Sequence, residues 1–165
     1  MKEVDIMISY QNVLFGYDGS PQSMIAFDRA QQIAKRNNTK LIIAMVVKPQ
    51  YVNTESVALG FGVIQADGDN KKALEQKAKE LSRLKQVAES EGGVKEVETR
   101  LVIGNPRDEL TYNLPKEEHV GLIIIGSTGL GRVAQVLIGS TASYIVEHAN
   151  VDVIVIKEQK SELDV

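Results

Sequence analysis

The chain has no cysteine, no tryptophan, only two histidines and an aromatic content of 5% across its 165 residues. Without cysteine there are no disulfides, no thiolate metal sites and no cysteine nucleophile. His119 sits beside Glu117 and Glu118 in a polar stretch and reads as a surface residue, while His148 ends a helical stretch where a partial cation suits the dipole. Neither has a second histidine or carboxylate at ligand spacing, so nothing supports a metal site built by the protein alone. Long apolar runs are also missing. Leu41 to Val47 and Leu122 to Ile125 are far too short to cross a bilayer, and the N-terminal stretch carries Glu3 and Asp5 where a secretory signal would be apolar. A cytoplasmic protein without membrane partners is the simplest expectation. Strong charge of either sign is lacking too: the formal net charge is -3, which argues against a nucleic-acid surface and leaves room for a small positive pocket.

What is present is an ordinary globular composition, 43% hydrophobic and 25% charged. The length fits one domain over residues 1–165, with a core from 12 to 157 and a polar tail from 158 to 165. Short β-type runs alternate with helix-type segments. Strands are predicted at Asn12 to Tyr17, Leu41 to Val47, Val97 to Gly104, Leu122 to Ile125 and Val153 to Lys157. Helices are predicted at Pro21 to Asn37, Asp69 to Ser90, Asn105 or Pro106 to Glu118, and Ser140 to His148. Ser20 suits the cap of the first helix and Pro21 its first position. In the second helix Leu74, Ala78, Leu81, Leu84 and Ala88 form an apolar stripe, and Lys48 to Asn70 before it reads mostly as a long loop. Strict alternation predicts an α/β, Rossmann-like doubly wound parallel sheet of five strands with four helices, with a ligand crevice where the winding reverses.

The chemistry concentrates in Gly126 to Thr141, GSTGLGRVAQVLIGST, between the fourth strand and the last helix. Glycines let backbone approach a ligand, and a helix start offers unpaired N–H groups and the positive end of the peptide dipole. Three phosphate-binding readings compete. A P-loop needs Lys followed by Ser or Thr, and here Arg132 and Val133 stand instead, so the metal-binding hydroxyl is missing. A dinucleotide fingerprint is met by Gly129, Gly131 and Ala134, but that turn normally follows the first strand, and Gly139 would fall inside the receiving helix. The third pattern, G-x2-G-x9-G-[ST], is met by Gly126, Gly129, Gly139 and Ser140.

With that pattern the chain resembles the universal stress protein family. The resemblance extends over a first strand ending in Asp18-Gly19-Ser20, an apolar second strand reaching Val46, the turn Gly104-Asn105-Pro106, and the final helix and strand. It implies strand order 3-2-1-4-5 and, as in the nucleotide-binding members, ATP (or AMP or ADP) with Mg2+ or Mn2+ between strands one and four. Carried over residue by residue, Asp18 would meet the ribose, and Gly16 backbone and Val46 would border the adenine. Gly126 and Gly129 would line the ribose and first phosphates, and Gly139, Ser140 and Thr141 would hold the phosphate tail. Arg132 is a further candidate for a phosphate. A homodimer is implied as well, although Asp152 stands where members often have proline, and an acid discourages edge pairing.

Blander roles compete for the same residues. Asp18 suits a strand-to-helix turn, Ser140 suits a helix cap, and Gly104 and Pro106 suit a structural turn. No water-activating residue is recognisable, so the expected function is a nucleotide-dependent stress-response or regulatory module with an unknown protein partner. The alternatives are an interaction protein of the same fold without nucleotide, and a slow ATPase.

Overall fold

A computed structural model describes residues 9–49, 68–128 and 138–157. Gly129 and Arg132, most of the predicted 48–70 loop and the 158–165 tail lie outside the described residues. In chain order the elements are β1 (Asn12–Gly16), α1 (Pro21–Asn37), β2 (Lys40–Val47), α2 (Gly68–Ser90), β3 (Val97–Ile103), a helical stretch over 106–117, β4 (Leu122–Gly126), α5 (Ser140–His148) and β5 (Asp152–Ile156). The stretch over 106–117 comprises α3 (Pro106–Asp108), a π-helical turn (Glu109–Asn113) and α4 (Leu114–Glu117). All pairings are parallel and the strand order is β3-β2-β1-β4-β5, as the resemblance implies.

Both faces of the sheet are buried because successive side chains point to opposite sides. Val13, Phe15, Leu41, Ile43 and Ile124 pack with Phe27 of α1 and Leu81 and Leu84 of α2. Leu14, Ile42, Ile123 and Ile125 pack instead with Leu110, Leu114 and, on α5, Ala142 and Ile145. Helix α1 has the predicted bounds for the predicted reason: Ser20 Oγ accepts the Ser23 N–H at 3.1 Å, and Pro21 fills the first position.

Two expectations need correction. The third helix is not regular. Pro115 has no N–H and its ring crowds the carbonyl four residues back, so the turn before it widens, with the Leu114 N–H bonding Glu109 O five residues back. The predicted stripe on α2 fails at Ala78, which is exposed, because burial begins only at Leu81. In the polar stretch that follows the third helix, His119 is exposed as expected, whereas its neighbour Glu118 is buried.

Glu118 ties the sheet edge together at the N-terminal ends of the strands. Its carboxylate accepts from Arg100 Nε at 2.7 Å, from a second Arg100 nitrogen, and from Lys40 Nζ at 3.3 Å, while Asn12 Nδ2 donates to its carbonyl at 2.6 Å. Burial alone would raise its carboxyl pKa, but the hydrogen bonds and charges of Arg100 and Lys40 together outweigh burial and hold it below the usual value. A depressed carboxyl contributes stability above its unfolded pKa, about 4.3, and loses it as pH falls through the folded value. Glu118→Gln should therefore cost about 1–2 kcal/mol at neutral pH, and the deficit should shrink in acid. Urea unfolding of both proteins at pH 7 and pH 3 checks this, and an equal deficit at the two values would refute it.

Candidate functional site

The sheet winds in opposite directions from β1 and β4, so the loops leaving their carboxyl ends diverge and open a crevice. A cleft of about 750 Å3 occupies that position. Of the predicted site residues, Gly16, Asp18, Val46, Gly126, Gly139, Ser140 and Thr141 all line it. Met45, Leu110, Ile125 and Ile145 add an apolar wall. An apolar cleft with a few convergent polar groups is the usual form of a small-molecule site.

The turn after β1 is built by its own side chains. Asp18 is exposed, and its Oδ1 accepts the Ser20 N–H at 2.9 Å, the turn role named above, while its second carboxylate oxygen extends the acceptor capacity of the cleft rim. Gly19 has φ +82°, a conformation side chains rarely adopt. Gly126 is required by a close approach: a Cβ there would lie 3.0 Å from the carbonyl carbon of Gln22 and 3.1 Å from the nitrogen of Ser23, in the first turn of α1.

The two helix starts at the crevice differ. That of α1 is closed by Ser20. At α5 the cap is Gly139, with φ -69° and ψ 160°, and among the described residues no side chain caps the helix. Ser140 is thus the first helical residue and not the cap, which corrects the blander reading. The first intrahelical bond runs from the Ser143 N–H to Gly139 O at 2.9 Å, so the amides of Ser140, Thr141 and Ala142 precede the ladder. The Gly139 N–H donates to Ser127 O at 2.6 Å, and the Ser127 N–H to Ile156 O at 2.8 Å. These bonds bring the two glycine-bearing bends together at one end of the sheet.

Three cationic side chains at or beside the cleft were missed by sequence reasoning: Lys48 and Lys77 line it, and Arg107 lies at a groove that opens from it. Tyr17, also missed, lines the floor and donates its hydroxyl to Glu80 of α2. Burial first, then the Glu80 carboxylate, push that hydroxyl above the usual tyrosine range, so it stays a neutral donor. No motif points to these residues. Among the described residues no group of three or more His, Cys, Asp or Glu is placed to hold a metal, and no helix is long and apolar enough to cross a membrane.

Comparison with known proteins agrees with this architecture. The model of the universal stress protein family matches residues 9–157. The chain belongs to the universal stress protein family. A family member of Staphylococcus aureus (strain USA300), named as a universal stress protein, is 35% identical over 159 residues, covering 96% of this chain and 90% of the relative. Among solved structures, universal stress protein UspA from Lactobacillus plantarum superposes with a TM-score of 0.70 at 28% identity, over 90% of this chain and 98% of that one. A universal stress protein in complex with cAMP has a TM-score of 0.66 at 30% identity, again over 90% of this chain and 98% of that one.

Proposed function

We propose that this universal stress protein binds ATP, or its di- and monophosphate, in the crevice between β1 and β4, and acts as a nucleotide-dependent regulatory module. The observation that carries the reading is the start of α5. A nine-residue helix opens onto an apolar cleft with no side-chain cap, beside a glycine bend, which is how main-chain amides are left for an anion. The cAMP complex of a similar protein supports a nucleotide as the ligand class.

In this reading Val46 and the backbone of Gly16 border the adenine, and the Asp18 carboxylate meets the ribose. Gly126 and Gly129 line the ribose and first phosphates, with Arg132 as a further phosphate contact. The amides of Ser140 and Thr141 hold the tail, with Gly139, whose own N–H is taken by Ser127 O, giving the close backbone approach. With no acidic cluster among the described residues, a Mg2+ or Mn2+ ion would take its ligands chiefly from phosphate oxygens and water, with the Ser140 and Thr141 hydroxyls nearby. A cytoplasmic homodimer through β5, whose residues Val153–Ile156 are only half-buried at the sheet edge, completes the reading. The nucleotide then biases conformation or partner choice to the extent that it binds one state better than another.

Titration with ATP and magnesium tests the proposal. At a hundredfold excess over Kd, ligand linkage adds about 2.7 kcal/mol. The melting temperature should rise by roughly 5–10 °C for a chain of this size. An unmoved melting curve at millimolar ATP, ADP and AMP would leave an interaction protein without nucleotide.

A further inference from the structure

A second groove, of about 390 Å3, adjoins the cleft at the start of α5. The two share Lys48, Pro106, Ser140 and Thr141, and Arg107 lines the second groove alone. We infer that Arg107 and Lys48 grip the outer phosphates of the bound nucleotide, so that the site selects nucleoside di- and triphosphates over monophosphates and cyclic monophosphates. The inference rests on the nucleotide reading above and adds its specificity.

Arg107 is held for this task from two sides. Its own N–H donates to Asn105 Oδ1 at 3.1 Å, which fixes the turn. Its guanidinium carbon lies 5.5 Å from the centroid of the Tyr144 ring. Tyr144 in turn stacks on His148, with centroids 4.1 Å apart, and meets Tyr112 edge-on at 6.4 Å. A guanidinium lying on a ring face keeps the N–H groups of its edge available, in a geometry suited to phosphate oxygens. Among the described residues the ion pairs are Lys40 with Glu98 and Glu118, Lys85 with Glu89, and Arg100 with Glu118. Neither Arg107 nor Lys48 is in that set, so neither cation is ion-paired among the described residues.

The chemistry of the ligands decides what this pair can distinguish. In a monophosphate the single phosphate stays next to the ribose, and in a cyclic nucleotide it is tied back onto the sugar. Only a longer phosphate chain passes the α5 start, which both cavities share, and enters the groove. Outer phosphates also carry the most charge, and charge-assisted hydrogen bonds to them are the strong ones. Tyr144 touches no phosphate in this scheme and is a positioning residue.

Calorimetric titration of the full chain with Mg-ATP, AMP and cAMP tests the inference, with circular dichroism and melting temperature verifying that each variant is folded. Wild type should bind ATP at least about tenfold more tightly than AMP. Arg107→Gln and Lys48→Gln, both at exposed positions, should each weaken ATP about tenfold while leaving AMP within about twofold. Tyr144→Phe should keep the ATP preference and Tyr144→Leu should lose roughly a factor of three of it. Equal affinities of wild type for ATP and AMP, or an Arg107→Gln variant with the wild-type ATP to AMP ratio, would overturn the inference and leave nucleotide binding standing. Failure of wild type to bind any of the three would overturn the nucleotide reading itself and this inference with it.

Discussion

Gly139→Asp should weaken Mg-ATP binding by about a hundredfold or more, while leaving the chain as stable as before or more stable by about 0.2–0.4 kcal/mol. The two effects have opposite signs for one reason. Gly139 occupies the cap of α5 in an extended conformation open to any residue, and among the described residues no side-chain cap bonds the helix amides. An aspartate there would accept one of those N–H groups and complement the helix dipole, which stabilises the helix. The same carboxylate would occupy the donors needed by phosphate and add repulsion. Gly139→Asn separates the two terms, since it caps without charge and should fall between wild type and aspartate in affinity. Calorimetry with ATP and thermal melts without ligand check all three proteins. Wild-type affinity in the aspartate variant would remove α5 from the site.

Gly126→Val should destabilise the fold by about 2–3 kcal/mol and eliminate ATP binding with it. A Cβ at Gly126 would approach the Gln22 carbonyl carbon at 3.0 Å, the Ser23 nitrogen at 3.1 Å and the Gln22 Cβ at 3.2 Å. Two of these are backbone atoms of a capped helix turn and cannot rotate aside, so β4 and α1 must separate at the mouth of the crevice. Gly126→Ala should show the same effect at about 1 kcal/mol, because it brings only the first of the offending atoms. Urea unfolding measures both. A valine variant as stable as wild type would mean that β4 and α1 are not locked together at this point.

Local chemistry was readable where a residue's role depends on its immediate neighbours. Ser20 and Pro21 define the start of α1 because capping involves atoms within three residues. The apolar runs of β1, β2 and β4 announce a sheet buried on both faces, and the glycine spacing led to the family and, through it, to the strand order. What could not be read depends on contacts distant in the chain. Glu118 looks like one more acid in a polar stretch until the fold brings Lys40, 78 positions away, to its side. Lys48 after β2, Lys77 of α2 and Arg107 of α3 come to the crevice and its adjoining groove from distant parts of the chain, with no motif linking them. The α2 stripe marked a face without marking where the sheet beneath it ends, which is why Ala78 is exposed and Leu81 is not. At α5 the predicted range Ser140 to His148 is the one observed, and of the roles open to Ser140 only the cap fails, because Gly139 takes that position.

The most direct measurement is the residue-resolved form of the ATP titration, following backbone amide resonances as Mg-ATP is added. The amides of Gly126, Gly139, Ser140, Thr141 and Ala142 should move most and saturate together, while those at the opposite strand ends, Asn12, Lys40 and Leu122, stay still. Saturable shifts confined to those opposite ends, or none anywhere at millimolar nucleotide, would contradict the account.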